Sequence, residues 1–131
     1  MNRILFILFL AFNLTCFSQT QAEMNKTAYA EFSKADKKLN EVYQKILTEY
    51  KSDSTFIKSL KNAQRIWIKF RDAELEMKYP NYKEPHYYGS SHPMCSAFYL
   101  KKLTEERTEK LMVWLNGIKE GDMCSGSVKM N

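Results

Sequence analysis

From about Ala22 to Lys51 the chain runs without a glycine or a proline, and Met24, Ala28, Phe32, Ala35, Leu39, Val42, Tyr43, Ile46 and Tyr50 recur every three or four positions. That spacing is one face of an α-helix and fits no strand, whose apolar positions would alternate. A helix this long cannot bury its stripe alone, so the rest of the chain must supply partners for it. SDST at 52–55 offers N-cap side chains for a second helix after a tight turn, which makes the two neighbours antiparallel. Phe56, Leu60, Ala63, Trp67 and Phe70 carry the second stripe, which ends before Pro80.

Residues 80–94, PNYKEPHYYGSSHPM, hold all three prolines and show no periodicity, so they read as a loop. Pro93 suits the first turn of a third helix whose stripe is Leu100, Leu103, Leu111, Trp114 and Ile118, with Asn116-Gly117 as its stop. No repeat, low-complexity tract or alternating run appears. The fold predicted is all-α: a three-helix antiparallel bundle with a Pro/Tyr-rich loop between helices 2 and 3 and a disulfide-pinned C-terminal tail. At 131 residues, 44% hydrophobic and 27% charged, there is room for one domain.

The first residues read as a leader rather than as fold. Arg3 forms a basic start, an apolar run extends from Ile4 to Leu14, and Cys16 and Ser18 stand at the spacing of a secretory cleavage site. We expect residues 1–18 to be a signal peptide cleaved near Ser18, leaving 19–131 as one exported domain, secreted or periplasmic. Lipid anchoring through Cys16 is the less favoured reading, because Asn13 and Thr15 stand where a lipobox carries Leu and Gly or Ala. No later run approaches the roughly 18 apolar residues of a membrane span.

Loss of Cys16 leaves Cys95 and Cys124 in an oxidising compartment, where they are expected to pair. Closing a loop of about 30 residues would add on the order of 3.5 kcal/mol. His86 and His92 bracket the segment before Cys95, but two cysteines without a CxxC are a poor metal set, so neither metal nor cofactor is predicted. The formal net charge is +5, or +4 without the leader's Arg3. Scattered lysines on an exported chain argue for solvated faces and against nucleic acid as a partner. Composition and spacing fix no oligomeric state.

Polar residues inside the apolar arcs carry more information. At 100° per residue, Lys58, Lys61, Arg65, Lys69, Asp72 and Glu76 fall on the solvent side of the second helix. Gln64, Arg71 and Glu74 fall inside its apolar arc, and Arg107 sits between Leu103 and Leu111 on the third. A buried guanidinium needs a partner, for which Glu74 is the nearest acid, with Asp36 and Glu31 at the edge of the first stripe. Two readings stand: a buried polar network of Gln64, Arg71, Glu74, Arg107 and Asp36 that sets which helix faces which, or a preorganised Arg/Glu site. No nucleophile, phosphate-binding loop or histidine lies on these stripes, which favours the network and argues against an enzyme.

LNEVY (39–43), LKNAQRIWIKFRDAE (60–74), GSSHPM (89–94) and LTEERTEKL (103–111) resemble the small exported bacterial domain of the LprI-like lysozyme-inhibitor family. The resemblance implies an all-helical exported domain whose best-known member inhibits lysozyme. Many relatives carry one cysteine directly after FRDAE and another shortly before LT, where this chain has Leu75 and, approximately, Tyr99. Cys95 with Cys124 would then be a different staple.

Two functions follow. One is inhibition of lysozyme or another cell-wall-cleaving glycosidase by a stiff loop inserted between its two carboxylates, with Tyr82, Lys83, His86, Tyr87, Tyr88 and His92 as the partner-binding residues. The other is a non-inhibitory envelope module that uses the same tyrosines to bind a glycan, a toxin or another exported protein.

Overall fold

The structure, a computed structural model, describes residues 2–131, with side chains from Thr20 onward. Three helices follow in order: α1 (Asn2–Glu49), α2 (Ser54–Lys78) and α3 (His92–Asn116). The proposed leader, with Cys16 and the cleavage after Ser18, lies outside the residues whose side chains are described. Among the described residues no helix is long and apolar enough to cross a membrane.

Each boundary has a local cause. Asp53 caps α2 by accepting from the Phe56 amide at 2.9 Å, which satisfies one of the first-turn donors that have no partner inside the helix. Pro93 occupies the first turn of α3, where its missing N–H costs nothing. Gly117 ends α3 at φ 75°, a region that favours glycine, and a Cβ there would also meet the Asn131 side chain.

The side chain of Asn25 donates to the Ser90 carbonyl, and the Tyr50 hydroxyl donates to the Trp114 carbonyl. These contacts at the two ends set α1 parallel to α3, with α2 running antiparallel to both. The core sits toward the Tyr50 end: Leu39, Val42, Ile46, Leu60 and Leu111 are buried, with Phe56, Trp67 and Trp114 packed against them. Each such aliphatic side chain contributes about 1.5–3 kcal/mol on burial. Toward the other end the α1–α3 seam narrows to small residues, Ala28 and Ala35 on α1 and Ala97, Thr104 and Thr108 on α3.

Three expectations need correction. Ala63 and Phe70, assigned to the core stripe of α2, are exposed; the inward face is instead Leu60, Gln64, Trp67 and Arg71. Leu100 and Leu103 are only half-buried, while the two threonines between the α3 leucines are buried. The disulfide does not form: Cys95 and Cys124 are free, the first in the opening turn of α3 and the second beyond its end. About 30 Å of helix separates Cys95 from Gly117, whereas bonded cysteines need Cα atoms about 5.5 Å apart.

The tail is held in another way. Ile118 and Met130 form an isolated parallel bridge, Trp114 Nε1 donates to Ser127, and the Lys129 amide donates to the Tyr50 hydroxyl. Lys129 Nζ also pairs with Glu49 at 2.6 Å. These bonds keep the tail at the Tyr50 end, away from the α2–α3 loop.

Candidate functional site

The α2–α3 connector is a run of tight turns. Backbone amides of Tyr82, Glu84, Tyr87, Gly89 and His92 each donate to the carbonyl three residues earlier. His86 holds φ 63° and Gly89 φ 72°, so the chain twice enters the left-handed region; for His86 this is a conformation few side chains adopt.

Aromatic packing stiffens the base. Tyr79 meets Tyr88 edge-on at 5.2 Å and His92 at 4.7 Å, and Tyr88 stacks on His92 at 5.2 Å. The Tyr88 hydroxyl accepts from the Asn81 amide, and His92 Nε2 lies 3.1 Å from Ser96 Oγ. Burial, with smaller contributions from Cys95 and Tyr88, raises the Tyr79 hydroxyl above its ordinary pKa. Asn25 on α1 ties the far side of the loop through Ser90.

The six residues expected to bind a partner therefore divide. Tyr88 and His92 belong to the base and are half-buried. Tyr82, Lys83, His86 and Tyr87 form the outer tip, with Tyr82 44% and Tyr87 57% exposed. Lys83 Nζ lies 5.5 Å from the Tyr82 ring centre, and the Tyr82 hydroxyl donates to Glu76 at 3.3 Å. Behind the tip a recess of about 220 Å³ is walled by Leu75, Tyr79, Tyr82 and His92, with the carboxylates of Asp72 and Glu76 at its rim.

Beneath the recess lies the polar network. The Arg71 side chain is 15% exposed and pairs with Asp72 at 2.8 Å and Asp36 at 3.7 Å. Its guanidinium also lies 5.4 Å from the Trp67 ring centre, and that of Arg107 lies 5.9 Å from the same ring. Arg107 Nε donates to Gln64 Oε1 at 3.0 Å. Glu74 meets neither arginine; it accepts from the Tyr99 hydroxyl at 2.9 Å. Arg71 takes Asp72 instead, the adjacent acid assigned to the solvent side, through Nε and a terminal guanidinium nitrogen at 3.0 and 2.8 Å. Desolvation lowers the Arg107 pKa from its usual value, the expected sign for a cation whose hydrogen-bond partner is a neutral amide.

A second recess, about 450 Å³, opens between α1 and α3 and is bordered by Glu31, Lys34, Lys101 and Glu105. These four pair with one another: Lys34 sits 2.8 Å from Glu31, and Lys101 lies between Glu31 and Glu105. The hydrogen bond and charge of Lys34, together with Lys101, hold Glu31 below the usual carboxylate pKa. Among the described residues no three His, Cys, Asp or Glu side chains converge to hold a metal ion.

The sequence profile of the family described as lysozyme inhibitor LprI matches residues 16–111, a span that contains the loop and the whole polar network and stops before the tail. No curated protein and no solved structure matches the chain.

Proposed function

Since the chain belongs to the LprI lysozyme-inhibitor family, we propose that it blocks a cell-wall-cleaving glycosidase by presenting the Tyr82–Tyr87 tip to the substrate cleft. The observation that carries this reading is the division of the connector into a stacked base and an exposed tip. A segment already rigid loses little conformational entropy on binding, so its contacts are not spent on ordering it. Lysozyme-type glycosidases cut between two carboxylates, and a tip bearing Lys83 beside two tyrosines offers a cation and flat amphipathic surface to such a cleft. Inhibitor action requires no catalytic group on this chain.

Charge narrows the target. A chain near +4 after leader removal approaches a strongly basic lysozyme slowly at low salt. The reading therefore favours a less basic glycosidase. We further propose that the protein works outside the cytoplasm after loss of residues 1–18.

The test is turnover of cell-wall substrate by several lysozyme classes with the purified, processed protein in micromolar excess. Inhibition of at least one class is expected, weakened about tenfold or more by Tyr87→Ala and by Lys83→Ala with helical content unchanged. Tyr88 is unsuited to this test because its loss would disturb the base. No slowing of any class would instead identify a non-inhibitory binding module.

A further inference from the structure

The helix α2 is apolar on two faces. Leu60 and Trp67 turn inward, but Ile66, Phe70 and Met77 are 58%, 53% and 69% exposed, and the exposed Ala73 lies between them. At 100° per residue these four fall within a band about 60° wide. Three large apolar side chains in one exposed band are more than scattered surface hydrophobics supply.

From this band we infer that α2 docks against α2 of a second copy of the same chain, antiparallel, about a two-fold axis that passes between Arg71 and Asp72. Two features single out that occupant. The positions 66, 70, 73 and 77 are spaced symmetrically about that point, so the axis sets Ile66 against Met77 of the other copy and Phe70 against its Ala73, large against small. The charges along one edge of the band are also complementary under reversal. Arg65 and Lys69 occupy its N-terminal half, Asp72 and Glu76 its C-terminal half, and all four are exposed. Antiparallel pairing sets this edge against the same edge of the other copy and brings Lys69 between its Asp72 and Glu76 registers. The helix macrodipoles oppose in the same arrangement.

The axis leaves both tyrosine tips free, at opposite ends of the helix pair, so the inference stands whether or not the tip inhibits a glycosidase. A band about 17 Å long buries less than the ~1,200 Å² of a stable complex, so dimerisation is expected in the range of roughly 10–500 µM.

Sedimentation of the processed protein across that range tests it. A concentration-dependent monomer–dimer equilibrium is expected, with Phe70→Glu weakening it at least about tenfold while circular dichroism stays unchanged. Lys69→Glu and Glu76→Lys should each weaken it about two- to fivefold, and the double variant K69E/E76K should recover part of that loss, because the reversed charges at 69 and 76 meet again only when the helices are antiparallel while Asp72 stays acidic. A strict monomer at about 500 µM overturns the inference. So does a dimer indifferent to Phe70→Glu, a double variant weaker than either single one, or a monomer that binds anionic phospholipid vesicles through Phe70, which would make a membrane the occupant.

Discussion

The two contacts that α3 makes are built on different chemistry. Against α1 it closes with aliphatic and small side chains, Leu111 at one end and Ala97, Thr104 and Thr108 toward the other, and the polar bond buried among them runs within α3, from Thr108 Oγ1 to the Thr104 carbonyl. Against α2 it meets long polar and aromatic side chains: Arg107 on Gln64, Tyr99 on Glu74, and Trp67 flanked by two guanidiniums. The first contact draws its stability from area and density, which reward any well-fitting apolar set. The second yields less per contact but is directional, because Gln64 and Arg107 satisfy each other at one register only. A bundle with an apolar seam and a polar one can thus order three helices without a disulfide.

If that division holds, the costliest substitutions lie in the apolar seam. Leu111→Ala should lower unfolding free energy by about 2–5 kcal/mol, read as a fall in urea midpoint at unchanged slope. A loss below about 1 kcal/mol would mean the seam collapses around the cavity and is not closely packed. Ala97→Leu probes the narrow end from the other direction: with Ala97 2% exposed, the added side chain has nowhere to go, and a cost of about 1–3 kcal/mol is expected. Were that substitution neutral, the small residues would not be what holds α1 and α3 close.

The polar contact predicts a pattern and not merely a magnitude. Gln64→Leu leaves Arg107 Nε without its acceptor in a half-buried site and should cost about 1–2 kcal/mol. The double variant Q64L/R107M removes both partners and should return to within about 1 kcal/mol of the parent, since an apolar pair of similar volume replaces them. If the double change costs the sum of the single ones, the pair is not coupled and the division between the two seams fails.

Much of this was legible in the residues, and the failures share a cause. The helix ends were marked by Asp53, Pro93 and Gly117, whose conformational preferences act locally and need no knowledge of the fold. The inward arginines were legible too, because Arg71 and Arg107 lie inside apolar arcs. What periodicity could not decide was which of two apolar faces of α2 is core: Ala63 and Phe70 fit a stripe as well as Gln64 and Arg71 do, and only the position of α3 chooses between them. The same blindness hid Thr104 and Thr108, whose burial reflects how closely α1 approaches. In the loop, six aromatic and basic residues looked alike; stacking on Tyr79 then drew Tyr88 and His92 inward and left Tyr82 and Tyr87 outside. The cysteine pairing, by contrast, was avoidable, since a third helix starting near Pro93 and ending at Asn116 already set Cys95 far from the tail.

Thr104 sharpens the comparison at smaller scale. Its Oγ1 is buried without a hydrogen-bond partner, inside the seam where polar groups are fewest. Thr104→Val keeps the shape and removes the unpaired hydroxyl, so a gain of up to about 1 kcal/mol is expected in the same urea measurement. A loss would reveal that the hydroxyl is satisfied in solution.

The smallest effect separates the seams by pH. Tyr99 lies on the polar side, and its hydroxyl is raised above the ordinary value of 10.0 first by the hydrogen bond to Glu74 and then by burial. A group whose folded pKa exceeds its unfolded one contributes stability that is complete below the unfolded pKa and is lost as pH rises through the folded one. Wild-type protein should accordingly lose thermal stability above about pH 10. Tyr99→Phe, which has no proton to lose there, should start slightly less stable near neutrality and then fall less steeply, its remaining decline reflecting Tyr79. The two melting curves should converge as pH rises above about 10, and parallel decline there would show that the Tyr99–Glu74 bond adds nothing to the α2–α3 contact.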